Sequence, residues 1–262
     1  ALNKLMKEYG RFDHNKQSLR IVTKLEKRYP DFDGLNLSWE VLEGMVKHET
    51  EYDISDASEY DPDLRGHLEA QIANIADELA YTAHDLDDGL RSGMISPLML
   101  SGIEIWEILR ETTGWKNNQL TDLNRHRIIR RLIGILVTDV VDATSKTIDA
   151  AGLKSANDLQ KLDHNVAGYS TDTHRRNREI KDFLYNELYR HHRVVRMAKK
   201  AERTITELFN AYQEEPSMLD ERYQGLIEQR GLERTICDYI AGMTDRYAIE
   251  EYQKLFDPQT LP

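Results

Sequence analysis

The sequence has one cysteine, Cys237, among 262 residues, so no disulfide can form within the chain and a reducing compartment is its natural setting. Long hydrophobic runs are missing as well. The longest candidate, Leu132 to Val137, is bracketed by Arg130, Arg131 and Asp139, far short of the ~20 apolar residues that span a bilayer. With 31% charged residues and a mean hydropathy of −0.65, a membrane protein is excluded and a cytoplasmic one expected. Strand-like alternation is scarce, and no internal repeat or low-complexity tract occurs, which points to an all-α fold. A net charge of −11 argues against general nucleic-acid binding.

What is present is most informative in LEAQIANIADELAYTAHDLDDGLRSG, residues 68–93. Its spacing predicts one long helix, and at roughly 100° per residue Asp77, Tyr81 and Asp85 fall in a single sector. His84 and Asp88 join them. Leu68, Ile72, Ile75, Leu79, Ala83 and Leu86 form an apolar stripe on the other side, suited to a core. Carboxylates, an imidazole and a phenol on one rigid face could hold a metal ion or a sugar. An acidic face opposite an apolar stripe is usually just solvated. Two details weigh against that reading: Ala70 and Ala73 lie on the polar face, where close packing is expected, and Tyr81 suits a partly dry pocket.

Charge is unevenly spread. HRRNREIK (174–181) and YRHHRVVRMAKK (189–200) are basic within an acidic chain. For Lys199 and Lys200 a salt-bridged, solvated helix face is expected. Arg190, His191 and Arg193 are better placed to meet an anion, since a planar guanidinium grips phosphate oxygens bidentately.

Helical signals cover most of the chain. They predict helices over about 15–29, then from the N-cap Ser38 with Leu42, Met45 and Val46 inward, over 68–92, 101–110 and 122–150. Residues 50–64 read as a loop and 151–173 as a broken connection ending in the capping signals of Ser170, Thr171 and Asp172. Further helices are expected over 174–212, 219–229 and 232–252.

Several of these segments, in order, resemble one family. The run Ala76-Asp77-Glu78-Leu79-Ala80-Tyr81-Thr82-Ala83-His84-Asp85-Leu86-Asp87-Asp88-Gly89 resembles the bacterial dGTPase-like deoxynucleoside triphosphate triphosphohydrolases of the HD-domain superfamily. So do FDHNKQSLRIVTKLEKRY (12–29), GLNLSWEVLEGMVKHE (34–49), FLYNELYRHHRV (183–194) and ICDYIAGMTDRYAIEEYQKLF (236–256). A lone D-x-x-x-Y-x-x-x-D would be weak; five ordered segments over nearly the whole chain are specific.

The resemblance implies a single all-α HD-like domain over 1–262 that continues a longer protein. The family's metal centre is a His, a His-Asp pair and a distant Asp, and only the last is matched here, by Asp77. The other ligands are expected in a segment preceding Ala1. The implied cofactor is a divalent cation, Mg²⁺ or a similar ion such as Mn²⁺. His14 is matched to a catalytic acid or phosphate contact, although a lone His ahead of a helix is most often a cap or surface residue. Asn15 and Gln17 are matched to phosphate contacts, Tyr81 and Asp85 to the deoxyribose, and Tyr189 and Arg190 to sugar and phosphate. Lys47 and His48 are placed near the pocket, while the segment of Asp238, Gly242, Asp245 and Arg246 belongs to the family without an assigned chemistry.

The implied reaction is metal-assisted attack on the α-phosphate of a deoxynucleoside triphosphate, releasing deoxynucleoside and intact triphosphate. A symmetric homo-oligomer is also implied, while base preference and any effector role of dNTPs stay open. Two rivals remain: another HD-superfamily phosphohydrolase, releasing monophosphate or pyrophosphate, and a non-catalytic nucleotide-binding helical scaffold.

Overall fold

The computed structural model describes residues 1–48, 60–61, 63–116 and 120–261. Its fold is all-α. In chain order the helices are α1 (Leu2–Leu5), α2 (His14–Arg20), α3 (Trp39–Val46), α4 (Leu68–Arg91), α5 (Glu104–Thr113), α6 (Asp122–Ala151) and α7 (Ala156–Gln160). They continue with α8 (Thr171–Leu184), α9 (His192–Glu214), α10 (Glu221–Gln224), α11 (Ile227–Arg230), α12 (Leu232–Ala241) and α13 (Asp245–Phe256). Wide π-helical turns extend α2 (Ile21–Leu25) and α8 (Tyr185–Tyr189). The only β pairing among the described residues is an isolated bridge between Lys27 and Gly34. No helix among them is long and apolar enough to cross a membrane. Most of the loop expected over 50–64 lies outside the described residues.

The chain forms two compact units, Leu37–Val194 and Ala1–Asn36 with Val195–Pro262. In the first, α4, α5, α6 and α8 pack around Leu86, Leu100, Trp106, Leu109, Ile128, Leu132 and Ile180, all essentially inaccessible to water. The caps read at Ser38 and Ser170 hold, their hydroxyls accepting the N–H of Val41 and Thr173, and Thr121 caps α6 in the same way by accepting from Asn124, satisfying donors a helix start leaves open. The 30-residue α6 stops at Gly152, whose φ of 61° suits a residue without Cβ.

Helix α4 buries only the C-terminal half of the expected stripe. Leu79, Ala83, Leu86 and Leu90 enter the core, whereas Ile72 is 44% exposed and Leu68 and Ile75 are only partly covered. The N-terminal turns are anchored instead by Gln71, which is buried. Its Oε1 accepts from the Val166 and Ala167 amides at 2.7 and 3.3 Å, and its Nε2 donates to the Gly66 carbonyl at 2.8 Å. Pairing that passing backbone outweighs apolar burial at this end. Ala70 packs closely as expected, near Gly44 and Gly66, while Ala73 is exposed.

In the second unit, Leu2, Met6, Leu208, Phe209, Tyr212, Ile236 and Cys237 form the core. Here three predicted helices are shorter. The one over 15–29 ends at Leu25, where Glu26 turns extended (ψ 135°). That over 219–229 splits at Gly225. The run 232–252 breaks after Ala241, where Thr244 caps a new start by accepting from Tyr247.

Candidate functional site

The acidic helix does gather its predicted side chains on an accessible face. Asp77 and Asp85 are partly exposed, and Tyr81 is 61% exposed, so its ring stands in solvent and not in the partly dry pocket its chemistry suggested. His84 and Asp88 are exposed too. The structure joins Asp85 to Tyr189, whose phenol donates to Asp85 Oδ2 across 104 residues of sequence.

Tyr189 reaches that position from the end of the π-helical turn that follows α8. One extra residue in a helical turn rotates everything beyond it by about 100° relative to an unbroken α-helix. Within the turn, Tyr185 and Tyr189 meet edge to face with centroids 6.4 Å apart. The Arg190 guanidinium lies over the Tyr185 ring, 5.3 Å from its centroid, within cation–π range. Arg190 thus borders the Asp85–Tyr189 pair and is itself exposed.

At the other end of the acidic row, His48 approaches Asp77. Its Nε2 is 3.8 Å from Asp77 Oδ2 and its Nδ1 is 2.5 Å from Asn74 Oδ1. Lys47 is tied into the fold, pairing with the buried Glu43 at 2.8 Å and donating to the Leu64 carbonyl at 2.9 Å. Among the described residues, no three His, Cys, Asp or Glu side chains converge as a metal site would need.

Two further acids of α4 have structural partners that periodicity did not single out. Glu78 accepts from Asn177 Nδ2 at 3.0 Å and pairs with Lys181 Nζ at 3.3 Å. Burial, aided by the negative charges of Glu78 and Asp139, pushes the nearby Tyr169 phenol above its ordinary range. Asp87 accepts from the buried Arg125, which also pairs with Asp122. The basic run 174–181 is largely paired as well: Arg175 and Arg176 both hold Glu104, which lowers that carboxyl below the usual range, Arg176 contributing most. Lys199 pairs with Glu202, as expected of a solvated face.

In the second unit, His14 is the exposed first residue of α2, with Asp13 as N-cap. Asn15 and Gln17 are buried. Gln17 donates through Nε2 to Asp238 Oδ1 at 3.1 Å, and Arg20 adds bonds of 3.2 and 2.5 Å to both oxygens of that fully buried carboxylate. Arg230 stands 3.7 Å away. The segment around Asp238 therefore has a physical role, tying α2, α11 and α12 together.

Comparison with known proteins identifies the family. A Geobacter sulfurreducens deoxyguanosinetriphosphate triphosphohydrolase-like protein is 44% identical over 261 residues, covering 98% of this chain and 68% of the relative. The chain belongs to the dGTPase-like family of HD-domain phosphohydrolases. Relatives with the same description in Nitrosomonas europaea and Caulobacter sp. strain K31 are 42% and 40% identical, over 98% and 97% of this chain and 69% of each relative. A family model described as a phosphohydrolase-associated domain matches residues 167–254. In this member of the family, that region includes Tyr189, Arg190 and Asp238.

Proposed function

We propose that this protein hydrolyses deoxynucleoside triphosphates to deoxynucleoside and inorganic triphosphate. The observation that carries the reading is the Asp85–Tyr189 pair, with Tyr81 one turn and Asp77 two turns away on the same accessible face. The names of the relatives, which refer to deoxyguanosine triphosphate, supply the substrate class.

A carboxylate that accepts from a phenol keeps free oxygen lone pairs and presents acceptors to a sugar hydroxyl. Asp85 would accept from the 3′-hydroxyl. The Tyr81 ring would pack against C2′ and disfavour a ribose 2′-hydroxyl sterically, an effect of shape more than of strong pairing. Arg190 would meet phosphate oxygens, where a guanidinium can bind bidentately. Water attack at the α-phosphorus forms a P–O bond and breaks the bond to the 5′-oxygen, which must take a proton. His14, exposed at the start of α2 in the other unit, has the chemistry of a proton donor or phosphate contact.

The described residues alone do not fit a resident divalent cation, since Asp77 supplies one carboxylate and such ions recruit several ligands. Asp77 would be one of those ligands.

Product analysis tests the reading. The full-length protein with dGTP and Mg²⁺ should release inorganic triphosphate, and Asp77→Ala should abolish turnover. Release of pyrophosphate or monophosphate, or binding without turnover, would refute it. Normal turnover in Asp77→Ala would remove the metal-ligand role.

A further inference from the structure

Glu78 stands beside the proposed site without touching it. It follows Asp77 in sequence and precedes Asp85 by seven residues, so Glu78 and Asp85 share one side of α4, two turns or about 10 Å apart. Across from them, Asn177 and Lys181 are four apart on α8, again on one face. Glu78 Oε1 accepts from both, at 3.0 Å from Asn177 Nδ2 and 3.3 Å from Lys181 Nζ. Asn177 is 2% exposed and the Lys181 side chain 14%. Further along the same seam, Asp85 accepts from Tyr189. Two polar rungs therefore join the same pair of elements, with Leu86, Ile180 and Leu184 packed in the core of that unit.

The rungs differ in kind. Apolar packing is non-directional and tolerates small slides of one helix along another, whereas a charge-assisted hydrogen bond to a buried amide fixes register. Tyr189 closes the π-helical turn that continues α8, eight residues from Lys181, so a shift of α8 is carried straight to its phenol. We propose that Glu78 is a positioning residue: its clamp on Asn177 and Lys181 sets the spacing between the Tyr81/Asp85 face and Tyr189, and thereby the discrimination between deoxyribo- and ribonucleotides. This rests on the triphosphohydrolase reading above.

The test measures kcat and KM of the full-length protein with dGTP and GTP, after wild type has been shown to release inorganic triphosphate from dGTP. Failure of that first step sinks the activity itself and the specificity role with it. Given an active wild type, Glu78→Ala should lower the ratio of kcat/KM for dGTP over GTP about 10-fold, chiefly by raising KM for dGTP, as misplacement of a binding group does. Glu78→Gln, which still offers Asn177 an acceptor, should recover most of that loss. Lys181→Met serves if Glu78→Ala folds poorly, and should reproduce its effect on the ratio. A variant that melts earlier yet keeps the wild-type ratio would show that the clamp is merely structural and would overturn the inference. So would a well-folded Glu78→Ala with an unchanged ratio.

Discussion

Removing the Asp238 carboxylate should weaken the unit built from both ends of the chain. Asp238 is fully buried, and its two oxygens take Arg20 at 3.2 and 2.5 Å, Gln17 at 3.1 Å and Arg230 at 3.7 Å. Asp238→Ala leaves two guanidinium groups without their counter-charge. Breaking a buried pair from one side costs about 3–5 kcal/mol. Arg20 and Arg230 retain 26% and 16% side-chain exposure, so water reaches both and the low end, about 3 kcal/mol, applies. At about 2–4 °C per kcal/mol for a chain of this size, Tm should fall by roughly 6–12 °C. Asp238→Asn should cost a similar amount, because it sets an amide N–H₂ against donors.

Urea titration would follow the loss by circular dichroism, with thiol labelling of Cys237, which is buried in the same unit beside Asp238, as a local reporter. The midpoint should fall with an unchanged slope. Arg20→Met combined with Asp238→Leu should cost less than the two single changes added together, by about 1–2 kcal/mol. An unchanged midpoint in Asp238→Ala, or strict additivity in the double variant, would refute the reasoning.

Gly89→Ala should destabilise by about 1 kcal/mol despite the better helix former, because overpacking costs about 1–3 kcal/mol against a propensity gain near 1. Its new Cβ would overlap Ile95 Cδ1 and stand 3.0 Å from Cγ1, on a side chain 1% exposed. Adding Ile95→Val, which removes the clashing methyl, should recover part of the loss in a melting experiment. Burial pushes the Cys237 thiol up to about 11 from an ordinary 9.0, so native protein at pH 8 should resist alkylation until unfolded. Because the folded state prefers the protonated thiol, its contribution to stability is whole below about pH 9 and disappears as pH rises through about 11. Cys237→Ala should flatten that part of the wild-type stability–pH curve; identical curves would exclude the effect.

Periodicity reached the elements but not all of their partners. Caps at Ser38 and Ser170 were legible because a hydroxyl at a helix start bonds within its own turn. The Asp77, Tyr81 and Asp85 row was legible because helical geometry alone puts those residues on one face. The stripe at the start of α4 was misread, because Gln71 answers to backbone amides 95 and 96 residues away, and no local pattern encodes such a partner. Nor did composition mark the division into two units, since no Gly-, Pro- or Ser-rich linker separates Asn36 from Leu37 or Val194 from Val195.

The sequence by itself determined the helical class, most helix starts and the family, all of which rest on local spacing and ordered motifs. Tertiary structure decided which acids of α4 are structural and which stay available. Asp87 and Glu78 are taken by Arg125, Asn177 and Lys181, while Asp85 meets Tyr189. In sequence these carboxylates are equivalent neighbours. What separates them is the cation, amide or phenol that folding brings from 38 to 104 residues away, and a charge is defined by its partner as much as by its place in the chain.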